Sequence, residues 1–364
     1  MKYLAAADSY KGCLSSKEVC GALLRGTGGG TAVPMSDGGE GFADSAASAC
    51  GGFFVPVFTV NSYGAPVKAG YAVCGDTAVV ETALADGLAA AGSRRDPLYA
   101  SSYGTGYTVR AALEAGYRRI IIGFGGSAVN DGGAGALCAL GAVFLRSGSE
   151  VVPDGRCGET AEEIDTSGLM PELKEASFIF ACDVTNPFCG PCGASEVYSP
   201  QKGATAADAE RLDRSLASLA ELYRKYLGTD MSDVPCAGAA GGLAGGLAAV
   251  CRPTVRSGFD VIAELCGFDK KIRECDIVIT GEGRTDAQTK YGKLPKRVAE
   301  TAKKYGKTVV CVSGMITPEG RGIGADLYIP LVRDGVTAEY SLTHAAELLE
   351  KAGREIRTLY GNNT

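Results

Sequence analysis

The chain has one histidine, no apolar run long enough to span a bilayer and no excess of positive charge. Each shortage excludes something. The lone His344 lies near the start of the last amphipathic segment, where a histidine reads as structural rather than catalytic. A formal net charge of -6 argues against nucleic acid or an anionic membrane as partner. A spanning helix needs about 20 apolar residues, and none are found in series. The short apolar segment 3–7 runs directly into Asp8 and Lys11, so it reads as a first strand and not a signal peptide, and a cytoplasmic protein is expected. The GxxxxGK[ST] pattern of P-loop enzymes is missing, as are the HRD and DFG triplets of protein kinases.

Cysteine is plentiful, at 14 residues. Cys20, Cys74, Cys138, Cys182, Cys251 and Cys311 sit in apolar stretches and are expected as free core thiols, without a disulfide framework. Cys189-Gly190-Pro191-Cys192 copies the thioredoxin redox tetrapeptide after a strand over 178–182. Redox catalysis wants the second half of that tetrapeptide to open a helix. Here residues 193–195 read as loop and 197–198 as a short strand, so a cysteine-rich loop is the expectation. With no second CxxC and no histidine nearby, a structural zinc site is disfavoured.

Glycine is what the chain has most of, 52 of 364 residues, roughly twice ordinary usage. It follows no collagen period and marks many tight turns. The length points to two domains. The densest turn is in residues 125–141, GGSAVNDGGAGALCALG. Before it, Ile120-Ile121-Ile122 reads as a buried strand; after it, Ala134, Leu137, Ala139 and Leu140 have the spacing of a helix face. A strand, a glycine-rich turn carrying Ser127, Asn130 and Asp131, and a helix start would gather N–H groups around an anion.

Elsewhere, strand–turn–helix units over 3–25 and 31–50 carry acidic turns at the strand ends, which predicts a parallel sheet with a site at its carboxyl edge. Segments 55–60, 67–73 and 77–82 alternate like an antiparallel meander and open the second domain. A helix runs from Tyr103 to about Ala115, a loop covers 148–158, and a helix of about 20 residues ends near Leu227. The Ala/Gly-rich stretch 238–249 reads as a tightly packed helix. The last third returns to α/β alternation and closes on a helix over 343–359. The fold class is therefore α/β, with a discontinuous Rossmann-like domain at 1–56 and 255–364 and a second α/β domain at 57–254.

Acidic groups recur just beyond predicted strands: Asp8 near Lys11, Asp37 and Glu40 among glycines, Asn130-Asp131, Asp183 with Asn186, and Glu282 with Arg284 and Asp286. Any one of these is explained by turn formation alone. Five together match the needs of phosphoryl transfer: carboxylates for Mg²⁺, cations and N–H groups for phosphate oxygens, and one carboxylate to take a hydroxyl proton. Residues 123–128 also fit a permissive GxGxxA dinucleotide fingerprint. Gly132, Gly133 and Gly135 lie where its helix should already run, and Arg146 stands where a ribose-binding acid is wanted.

The segments DSYKG at 8–12, SDGGEG at 36–41, GGSAVNDGG at 125–133, ACDVTNP at 181–187, PQKGA at 200–204 and ITGEGRTD at 279–286 together resemble the bacterial type I glycerate kinase family, in that family's order and over nearly the whole chain. The resemblance implies ATP- and Mg²⁺-dependent phosphorylation of D-glycerate, with 2-phosphoglycerate as product and 3-phosphoglycerate as the alternative, in a cleft between two α/β domains. The chain departs from the pattern at Cys189, Cys192 and Ser199. On this reading Gly125, Gly126, Ser127, Gly132 and Gly133 bind nucleotide phosphates. Lys11 and Arg284, with Asp8, Asn130 and Asp131, serve the substrate. Asp183 is the candidate base with Asp37 second, Lys11 assists catalysis, and Glu282 and Asp286 are the candidates for the metal. A sugar-acid sensor without turnover and a dinucleotide-dependent oxidoreductase stand as the alternatives, and the residues leave monomer or homodimer open.

Overall fold

The computed structural model describes residues 1–333 and 335–361, with side chains at all of these but Lys290 and Tyr291. The chain divides into two compact units: Met1–Asp37, Asp44–Gly52 and Phe259–Thr364 form one, Gly38–Ala43 and Phe53–Gly258 the other.

In the first unit five parallel strands lie in the order Leu327–Pro330, Thr308–Ser313, Ile277–Thr280, Tyr3–Ala5, Thr31–Ala32. The central strands are mostly apolar and, apart from Thr308, buried, as befits a parallel sheet covered on both faces. The Ser16–Thr27 helix starts at a capping box: the Ser15 hydroxyl accepts from the Glu18 N–H, and the Glu18 carboxylate accepts from the Ser15 N–H. It packs on the Ala345–Gly361 helix where Gly26 meets Gly353. The closing helix expected over 343–359 is Ala345–Gly361, preceded by a short helix, Ala338–Thr343. His344 lies between the two helices, its ring stacked on Tyr340 at 3.9 Å.

The second unit holds a mixed six-stranded sheet. Thr254–Arg256, Ser177–Ala181, Arg119–Gly123 and Thr77–Glu81 are parallel neighbours, and Pro66–Cys74 and Phe53–Val60 continue antiparallel. The meander is present, but its third strand also pairs in parallel with Arg119–Gly123, which joins it to the parallel sheet. Val80, Ile120, Ile122 and Phe180 centre the core on that junction. Part of the loop expected over 148–158 is ordered: Ser149–Glu150 pairs with Val143–Arg146, which also pairs with Glu163–Asp165. The expected strand at 197–198 is instead a short helix, Ala194–Tyr198.

The Ala/Gly-rich stretch becomes the Leu243–Cys251 helix, and a Cβ on Gly246 would lie 2.3 Å from the Gly132 carbonyl oxygen. Close packing is therefore what those glycines serve. Cys20, Cys138, Cys182, Cys251 and Cys311 are free as expected, whereas Cys74 is disulfide-bonded. Among the described residues no helix is long and apolar enough to cross a membrane.

Candidate functional site

Parallel strands deliver the turns that follow them to one edge, and in the first unit those turns are acidic. Asp8 follows Tyr3–Ala5, Asp37 follows Thr31–Ala32 and Glu282 follows Ile277–Thr280. All three line a cavity of about 420 Å³ together with Lys11, Arg284, Asp286 and Lys293. Six residues singled out from the sequence thus converge: Asp8, Lys11, Asp37, Glu282, Arg284 and Asp286. Lys293 was missed. It precedes the Leu294–Lys304 helix in an ordinary-looking stretch, and nothing local marks it.

Asp8 is 8% exposed and accepts the Ser9 N–H at 2.7 Å. Burial pushes its carboxyl up to about 7; the neighbouring charges of Asp37 and Glu282 push the same way, against Lys11 and the Ser9 N–H. Glu282 is buried and raised for the same first reason. Its Oε1 accepts from Thr289 at 2.6 Å and Thr285 at 3.3 Å, and Thr285 is in turn 2.8 Å from the Ser313 hydroxyl, so the carboxylate is held by a ladder of hydroxyls. Asp286 accepts the Gln288 N–H at 2.9 Å and stands 3.5 Å from the Arg284 guanidinium.

Four carboxylates line one cavity, and Asp8 is pushed towards protonation first by burial and then by Asp37 and Glu282, a concentration of negative charge that a divalent cation would relieve. Among the described residues no three His, Cys, Asp or Glu side chains form a metal cage. A bound Mg²⁺ would keep waters and phosphate oxygens among its ligands, as Mg²⁺ ordinarily does. The donor set suits it.

The glycine-rich turn of the second unit is more inward than its sequence suggests. Asp131 is fully buried, and its carboxylate accepts the N–H and hydroxyl of Ser102, each at 2.7 Å, and the N–H groups of Gly133 and Gly135, each at 3.1 Å. Asn130 is also fully buried and donates to the Ser195 hydroxyl at 2.9 Å. The Gly132 N–H goes to the Gly241 carbonyl. The Asp131 carboxylate, the Asn130 amide N–H and the Gly132 and Gly133 N–H groups are thus engaged within the unit, whereas the buried Asn130 Oδ1 has no hydrogen-bond partner. The helix that follows, Ala134–Ala139, is six residues long and its first N–H groups are taken by Asp131 and Ser102. What remains open to a ligand is Gly126, exposed, and Gly125, half-buried, with Ser127 beside them.

Behind Ser127 lies Lys202 of the PQKGA segment, whose role nothing local in the sequence marks. It is 2% exposed; its Nζ donates to the Val129 carbonyl at 2.6 Å and to the Ser127 hydroxyl at 3.4 Å. Burial pushes this ammonium down to about 7, with Asp131 opposing. Glu81 was missed as well, although it obeys the rule of an acid at a strand end. Its carboxylate accepts the N–H groups of Gly41 and Ala43 at 2.9 and 3.0 Å and so shapes the SDGGEG turn. Asp183 stands exposed beyond Ser177–Ala181 and accepts the Gly258 N–H at 3.3 Å.

Parallel-strand turns that combine buried carboxylates, lysines and an arginine around a cavity in the first unit, and an open glycine turn on the sheet of the second, define an α/β protein with groups suited to anions. The chain belongs to the glycerate kinase family, whose model matches residues 3–361. It is 40% identical to the glycerate kinase of Bacillus subtilis (strain 168), over 98% of this chain and 97% of that one. To the glycerate 2-kinase of Escherichia coli (strain K12) it is likewise 40% identical, over 97% and 93%. The crystal structure of a protein from Salmonella typhimurium LT2, described as glycerate kinase 2, superposes with a TM-score of 0.86 at 39% identity, covering 100% of this chain and 98% of that one.

Proposed function

We propose that this protein is a glycerate kinase that transfers the terminal phosphoryl group of ATP to the 2-hydroxyl of D-glycerate. The observation that carries the reading is the first-unit cavity, where Asp8, Lys11, Asp37, Glu282, Arg284 and Asp286 converge. The family and the name of the Escherichia coli relative support it. ATP use follows from kinase membership. Mg²⁺ bound by Glu282 and Asp286 would neutralise phosphate oxygens.

Arg284 and Lys11 would face the glycerate carboxylate or the transferred phosphate, with Lys293 as a third cation in the same cavity. Gly125 and Gly126, the accessible part of the turn, with the buried Ser127 beside them, remain the phosphate contacts of the second unit. Asp183 is the assigned base, with Asp37 second: a carboxylate exposed just beyond a strand end is a group of the kind that accepts a hydroxyl proton. The two compact units are read as the two domains of the enzyme.

The test is ADP release from ATP, Mg²⁺ and D-glycerate, with the product identified by phosphorus NMR. Turnover to 2-phosphoglycerate is the expected result. A product with the 3-phosphate coupling pattern would move the acceptor to the other hydroxyl, and nucleotide binding without turnover would sink the kinase reading.

A further inference from the structure

The CGPC loop takes no part in the reading above, yet its construction is specific. Of the 12 free cysteines Cys192 is the exposed one, and Cys189 is half-buried against the core of the second unit. The chain between them turns back on itself: the Gly193 N–H donates to the Gly190 carbonyl at 2.7 Å, and the Ala194 N–H to the Phe188 carbonyl at 3.4 Å. A Cβ on Gly193 would lie 2.7 Å from the Cys189 Cα, so the residue that follows Cys192 packs directly against Cys189. Asp213 fixes the outer limb by accepting the Gly190 N–H at 2.8 Å, and Asn186 fixes the inner limb by donating to the Cys192 carbonyl at 2.8 Å. These bonds hold the backbone of the turn in place without a sulfur–sulfur bond, which lowers the chain entropy that forming one across it would cost.

We propose that Cys189 and Cys192 are a thiol–disulfide exchange site for low-molecular-weight disulfides such as glutathione disulfide, with Cys192 as the attacking and Cys189 as the resolving thiol. The Cys192 thiolate attacks one sulfur of glutathione disulfide, forms a mixed disulfide and expels one glutathione thiolate. The Cys189 thiolate then attacks the Cys192 sulfur, closes the intramolecular disulfide and expels the second glutathione thiolate. Two electrons pass to glutathione, and the two cysteine protons end on the released thiols. The division of roles follows from access: Cys192 is open to solvent, while burial and the Asp213 carboxylate push the Cys189 thiol up and keep it from attacking first. The loop leads into the Ala194–Tyr198 helix, whose Ser195 accepts from Asn130, so its state is felt at the base of the glycine-rich turn.

The experiment equilibrates the full chain in glutathione buffers of graded oxidation, quenches with acid, alkylates the remaining thiols and maps the peptides by mass. The expected result is a peptide bearing both Cys189 and Cys192, two hydrogens lighter, that accumulates as the buffer becomes oxidising. Cys189→Ser should trap a glutathione adduct on Cys192, and Cys192→Ser should leave Cys189 unmodified. The proposal is overturned if Cys189 and Cys192 are recovered as alkylated thiols across the series, or if Cys189→Ser collects no adduct. Circular dichroism of both variants checks that they are folded. The readout is a mass, so it stands or falls independently of turnover.

Discussion

At Asp86 the second unit buries a carboxyl group completely, with the Thr105 N–H donating to it at 3.0 Å. Burial pushes this acid up from 3.8 to about 8, and Asp131 adds to the push. The folded chain therefore keeps a proton that the unfolded chain releases above 3.8. Stability from this group is complete below the unfolded value and is lost as pH rises through the folded one. Asp86→Asn, which keeps the shape without the charge, should flatten that decline, on the order of a few kcal/mol by the linkage relation. Denaturant melts at mildly acidic and mildly alkaline pH decide it, and parallel profiles for the two proteins would show that Asp86 does not titrate there. In the cavity, Arg284→Ala should raise the KM for glycerate by roughly ten- to a hundredfold with little change in Tm, since a charged hydrogen bond is worth about 1.5–3 kcal/mol. Asp183→Asn should lose turnover with its melt unchanged; an active variant would refute its assignment as base.

Among elements, two close glycine contacts do different things. A Cβ on Gly353 would lie 2.3 Å from the Leu23 carbonyl, inside the contact between the Ser16–Thr27 and Ala345–Gly361 helices. One on Gly246 would meet the Gly132 carbonyl at 2.3 Å and the Gly133 Cα at 3.0 Å, at the root of the glycine-rich turn. Overpacking of this kind costs about 1–3 kcal/mol or more. Gly353→Ala is expected to lower Tm and leave the KM for ATP alone. Gly246→Ala should lower Tm and raise that KM, because it displaces the turn that carries Ser127. Equal effects of the two variants on KM would remove the glycine-rich turn from the nucleotide site.

For the whole molecule the expected dependence is on Mg²⁺. Chelation by EDTA should abolish turnover, and MgATP should raise Tm more than ATP does in EDTA. At a hundredfold excess over Kd a ligand adds about 2.7 kcal/mol of stability. An equal shift with and without the metal would place Mg²⁺ outside the nucleotide site. The abundance of carboxylates in the cavity is the reason to expect otherwise: ATP would bring more negative charge to a place where burial, then Asp37 and Glu282, already push the Asp8 carboxyl up.

The local sequence determined the α/β class, the family and most elements, because apolar runs such as Ile120-Ile121-Ile122 and the Ser15–Glu18 capping box carry their own instructions over a few residues. It also marked the acidic turns, since a parallel sheet sends every strand-end turn to one edge. The burial of Asn130 and Asp131, and the internal use of the Gly132 and Gly133 N–H groups, was decided by Ser102, Ser195 and Gly241, which lie far away in the chain. A turn that binds a ligand and a turn that binds its own neighbours have the same local sequence. The parallel pairing of Thr77–Glu81 with Arg119–Gly123, and the places of Lys202 and Lys293, were likewise settled by the tertiary structure, because only packing says which distant residue a strand or an ammonium will meet.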